Sequence, residues 1–145
     1  MSISLLSTAQ IRALSTTTVQ QLSTTQIGAL TSTQVGALSG SAVQSLSTTQ
    51  IGALSTSQVR GLAATQIPYL ADQISFTGTQ LAVLGDFQVK ALSTTQLSGL
   101  DSTLVAALSG TQVKALTNTQ LGGLTATDIG EFSSTQIRAL TVSQV

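Results

Sequence analysis

Leu46-Ser47-Thr48-Thr49-Gln50-Ile51-Gly52-Ala53 is the stretch on which the reading of this chain turns. Leu22 to Ala29 repeats the same eight residues letter for letter, and Leu92 to Gly99 is a close copy. As a pattern the octad is L-[S/T]-x-[T/S]-Q-[I/V/L]-x-[A/G], running from Leu6 to the C-terminus with one clear interruption. Physically, the octad is a helix start. Ser47 stands at an N-cap position, and Gln50, three residues on, can reach back to the Ser47 backbone N–H as a capping box. Leu46 before the cap and Ile51 four residues after it form a hydrophobic staple.

The same pairing recurs as Ser7/Gln10, Ser23/Gln26, Thr31/Gln34, Ser55/Gln58, Thr77/Gln80, Ser93/Gln96, Thr117/Gln120 and Ser133/Gln136. One such pair arises by chance; its recurrence at a fixed interval does not. The next Leu-Ser begins the next helix, so each must stop after about one and a half turns, roughly 8 Å. Gly or Ala at the end of the octad is expected to permit the sharp turn. Helices this short do not persist alone, so they must be held by stacking Leu and Ile/Val on neighbouring coils. The expected fold is an all-α solenoid with one short helix per octad, spanning 1–145 as a single repeat array. The alternative is a three-sided β-solenoid, because Thr, Val and Ile favour strands; against it, residues five apart in one straight strand face opposite sides.

The seventh octad position suggests how many units make a coil. Every third unit has a small residue there: Gly28, Gly52, Ser75, Ser98 and Gly122. The set one unit earlier reads Gln20, Gln44, Pro68, Lys90, Lys114 and Arg138, and the remaining set is mixed. Three unequal faces imply a super-period of about three octads, roughly 24 residues. The Gly/Ser column is expected at a close backbone contact or corner, and the Gln/Lys/Arg column at solvent.

The interruption falls at 70–75, a unit two residues short, next to Pro68, which denies the backbone a helical hydrogen bond. Tyr69, Phe76 and Phe87, three of the four aromatic residues, gather around it. They are expected to fill the space left by the deletion, or to form a patch for a partner.

Composition narrows the function. Charged residues are 7% of the chain and balance to zero, so no electrostatic footprint for nucleic acid exists. Ser, Thr and Gln interrupt every octad, which argues against membrane insertion. With no Cys and no His there are no disulfides, no thiolate chemistry and none of the usual transition-metal ligands, so no cofactor or metal is expected. Serines are plentiful, yet no residue is placed to activate one. Asp101 sits at an N-cap, Asp128 replaces a capping-box Gln, and two lone carboxylates at Asp128 and Glu131 do not make a calcium site. Asn118, the sole asparagine, is not in a glycosylation sequon. Met1 to Ser7 lacks the basic and apolar regions of a signal peptide, and the last octad, from Leu140, is incomplete, as in a piece of a longer array.

The string Leu-Ser-Thr-Thr-Gln-Ile-Gly-Ala-Leu-Ser resembles the "LTTxQIxAL"-type octad arrays of very large, adhesin-like bacterial surface proteins. That resemblance implies an extracellular or cell-surface, non-catalytic rod or filament segment. Repetition and low charge suit the same role: a thin spacer or self-assembling fibre whose ends stack on each other or on neighbouring repeats. The alternative is an adhesive or binding module that presents its Ser/Thr rows to a surface glycan or to ice.

Overall fold

A computed structural model describes residues 2–70 and 76–145. Among the described residues, fifteen α-helices of four to six residues succeed one another, from α1 (Thr8–Arg12) to α15 (Ser134–Ala139), with no strand. Two segments, Ile3–Leu5 and Ala64–Tyr69, are 3-10 helices. The second contains Pro68, which has no N–H to give to an α-type hydrogen bond.

The corner between helices repeats. In α6 (Thr48–Gly52) the N-cap Ser47 is extended, at φ −74° and ψ 161°. Its Oγ accepts from the Gln50 N–H at 3.2 Å, and its own N–H donates to Gln50 Oε1 at 2.8 Å. At the far end the Leu54 N–H donates to the Ile51 carbonyl at 3.1 Å, and the chain turns into the extended cap Ser55. No described residue has a positive φ, so the octads end without a left-handed glycine cap. Extended backbone at the junction of units makes the turn, and the expected glycine turn is not used.

Three octads make one coil. Helix α1 packs on α4 (Ser32–Ala37), α2 (Thr16–Gln20) on α5 (Gly40–Gln44), and α3 (Thr24–Gly28) on α6. Stacked helices begin 24 residues apart, as at Thr8 and Ser32. Between α7 (Thr56–Gly61) and α8 (Gly78–Leu81) the interval falls to 22. The short unit therefore removes two residues from one coil while the stack continues. Apart from Leu70, that unit lies outside the described residues.

The Leu before each cap and the Ile, Val or Leu after each Gln form the core. Leu54 and Ile51 are buried, as are Val59, Leu62, Val89 and Leu92 on later coils. Such side chains supply about 1.5–3 kcal/mol each on burial, which secures helices too short to form alone. In the outermost coils Leu14, Leu22, Leu124 and Leu140 are only partly covered.

One expectation about small residues changes here, and one about the aromatic group is narrowed. A side chain on Gly28, Gly52 or Gly122 would meet nothing within 4 Å, so that column faces open space. The close approach lies at Gly36 on α4 and Gly61 on α7. A Cβ on Gly36 would strike the Gly61 carbonyl oxygen, and one on Gly61 would strike the Ser32 carbonyl. Phe76 is not a surface residue; it takes the Leu position before Thr77 and is 3% exposed. The column Gln20, Gln44, Pro68, Lys90, Lys114 and Arg138 is exposed throughout.

Candidate functional site

The chemistry of this chain is concentrated in the octad glutamine. Ser7, Ser23, Ser47, Ser55, Ser93 and Ser133 each head a capping box closed by Gln10, Gln26, Gln50, Gln58, Gln96 and Gln136 respectively. In each box the Gln Oε1 accepts from the cap N–H, which leaves the two Nε2 protons to be placed.

Beyond the first coil they go to the coil below. Gln58 Nε2 donates to the Ile27 carbonyl at 2.7 Å and the Leu30 carbonyl at 2.8 Å. Gln96 Nε2 donates to Ile67 at 3.0 Å and Leu70 at 2.9 Å, and Gln136 Nε2 to Val105 at 2.7 Å and Leu108 at 2.8 Å. Gln34, Gln50, Gln66, Gln80, Gln88, Gln112 and Gln120 repeat this contact. One primary amide thus caps its own helix and clasps the preceding corner one coil back. These glutamines are buried; Gln96 is fully so, at 0% exposure. Only a primary amide fits both tasks, since it carries an acceptor and two donors. The clasp also satisfies corner carbonyls that a helical solenoid, unlike a β-solenoid, has no ladder to satisfy.

Sequence reasoning found the capping half of this role and missed the clasp. Its partners lie 31 and 28 residues away in most coils, and 29 and 26 across the short unit. The predominance of Gln where Glu or Asp would cap equally well was the available signal.

Gln10 and Gln26 stand in the first coil, where the amide is exposed and only the box forms. Elsewhere among the described residues three positions break the seam: Ala42, Leu104 and Asp128. At Leu104 the cap survives through Asp101, whose Oδ1 accepts from the Leu104 N–H at 2.9 Å. Asp128 accepts from the Thr125 N–H at 2.7 Å and from the Ser98 hydroxyl at 3.0 Å. These bonds, the Thr125 backbone N–H foremost, hold its carboxyl below the usual range, although the group lies at the surface. A depressed carboxylate pKa adds stability above the unfolded value, and that stability is lost as pH falls through the folded one.

Asp128→Gln gives up the Ser98 contact and gains an amide donor towards the Leu97 and Leu100 carbonyls, and should raise the urea midpoint at neutral pH. It should also remove the acid-side loss contributed by this group. Urea unfolding at neutral and acid pH measures both; an unchanged midpoint would show that no clasp forms there.

Tyr69 and Phe87 are the surface part of the aromatic group. Tyr69 is 47% exposed, its ring lying over Gly40, and Phe87 is 81% exposed on α9 (Asp86–Ala91). No group of three or more acidic residues that could hold a metal occurs among the described residues. No described helix is long and apolar enough to cross a membrane.

No curated protein and no solved structure matches the chain. Residues 3–40 match the family model described as the ALTTAQ repeat. The opening octads are thus similar to that repeat, and the described residues beyond them form a helical array consistent with an octapeptide of that type.

Proposed function

We propose that this chain is a non-catalytic structural repeat, a thin rod segment that spaces or aligns whatever it is joined to. The observation that carries this reading is the glutamine seam. Coil after coil is fastened to the next by the same buried two-carbonyl clasp, so the array can lengthen by whole coils without a change in its chemistry. The resemblance to adhesin-like surface arrays suits an extracellular setting for such a rod.

Growth by stacking follows the same logic. Another coil, in the same chain or in a second copy, would meet the free amides of Gln10 and Gln26 at one end. At the other it would meet the partly buried Ile129, Ile137 and Leu140, which line a hollow of about 390 Å³.

Duplicating residues 94–117, one whole coil, tests the rod directly. Small-angle scattering should show an unchanged cross-section and a length increased by one helix spacing, about 8–10 Å. The melting temperature should hold or rise. An unchanged length, or loss of cooperative unfolding, would overturn the reading. Light scattering over a concentration series reports stacking separately: particle mass should rise with concentration, and a mass that stays at one chain would remove self-assembly but leave the spacer.

A further inference from the structure

The charges of this chain are not spread evenly over the coil. From Ala13 to Val59 there are none. Beyond the short unit, Lys90, Lys114 and Arg138 occupy the same seventh octad position on α9, α12 (Gly110–Ala115) and α15. These three helices stack directly on one another, and all three side chains are exposed. They form a row of cations along the rod, one per coil, at a helix spacing of about 8–10 Å. Asp86 is the only acidic residue of those three helices; Asp101, Asp128 and Glu131 belong to the column that contains α11 (Ser102–Ala107) and α14 (Ala126–Gly130).

Two of the cations open onto a groove. Lys90 and Lys114 line a hollow of about 510 Å³ together with Asp86, Thr111, Thr117 and Asn118. That volume is in the range of small-molecule sites, roughly 300–1,000 Å³. Its walls interleave two ammonium groups with hydroxyl and amide groups that both donate and accept, and no aromatic side chain lines it.

We propose that this groove and the row beyond it bind an acidic polysaccharide carrying one anionic group per repeating unit, as in an alternating uronate polymer. The ammonium groups take the carboxylates. Thr111, Thr117 and Asn118 exchange hydrogen bonds with sugar hydroxyls between them, and Arg138 continues the row to the next anionic group. A single-stranded nucleic acid is the poorer fit, because its usual sites add stacking aromatics to the cations. The groove borders the hollow at the C-terminal end, with which it shares Asn118, whereas Lys90 and Lys114 line the groove alone.

Fluorescence anisotropy with labelled hyaluronan tests the proposal on the full chain, with dextran and duplex DNA of matched length as the other probes. Hyaluronan should bind, and weaken as salt rises from about 50 to 200 mM. Lys90→Ala combined with Lys114→Ala should weaken it about two- to thirtyfold, the effect of two exposed charge pairs. Arg12→Ala combined with Arg60→Ala, on another column, should leave it unchanged. Circular dichroism of both double variants should match the parent, since all four side chains are exposed. No binding of hyaluronan, equal binding of dextran, tighter binding of DNA, or an unaffected Lys90/Lys114 variant would each overturn the proposal.

Discussion

Gln96→Leu is expected to destabilise the protein by about 2–5 kcal/mol, although leucine fills a similar volume and belongs to the core by composition. Gln96 is completely buried, and its amide serves three backbone groups. The Ile67 carbonyl keeps a second partner, the Leu70 N–H at 3.1 Å. The Ser93 N–H and the Leu70 carbonyl lose theirs, and a buried polar group left unpaired costs about 1–3 kcal/mol. The exposed Gln26 supplies the comparison. It makes the same capping box but no clasp, so Gln26→Leu should cost only about 0.5–1 kcal/mol, the weight of one exposed hydrogen bond. Urea midpoints of the two variants decide the matter: equal losses would mean that the glutamine matters for capping alone and that the coils are held by apolar packing.

Gly61→Ala should cost about 1–3 kcal/mol, an overpacking penalty larger than a single methyl group normally carries. The added Cβ would occupy the place of the Ser32 carbonyl on the coil below, and backbone cannot step aside as a side chain can. Helices α4 and α7, which carry the buried Val35 and Val59, would have to separate. Gly52→Ala offers the opposite outcome. Nothing lies within 4 Å of its new Cβ, so the reduced backbone freedom of the unfolded chain should yield a gain of about 0.5 kcal/mol. Two glycine-to-alanine changes on adjacent helices would then move the melting temperature in opposite directions. A gain at Gly61 would show that the coils are not in contact through backbone there.

The two experiments also mark how far the octad could be read. The capping box at Ser47 and Gln50 was legible because both partners lie within one turn of the same helix, where spacing alone sets the geometry. The three-octad coil was legible for a different reason. Solvent accepts Gln, Lys and Arg at one column of seventh positions, and that preference repeats visibly at Gln44, Lys90 and Lys114. Gly28 and Gly52 misled, because a column of small residues can mean crowding or merely freedom from constraint. The letters do not distinguish these: crowded Gly36 sits in the column with mixed composition, and its partner Gly61 is an eighth-position residue outside all three columns.

The sequence by itself determined where each helix starts, which residues face inward and how many octads close a coil. All of these follow from contacts within one octad or from a periodicity that recurs along the chain. Only the tertiary structure decided what the second half of each glutamine amide does, which glycines touch, and which cations share a face. Those contacts join residues that meet only when one coil is laid on the next, as Gln58 meets Leu30. Their partners are mostly backbone carbonyls, which every residue has, so no choice of side chain at Leu30 could announce that Gln58 would bind there.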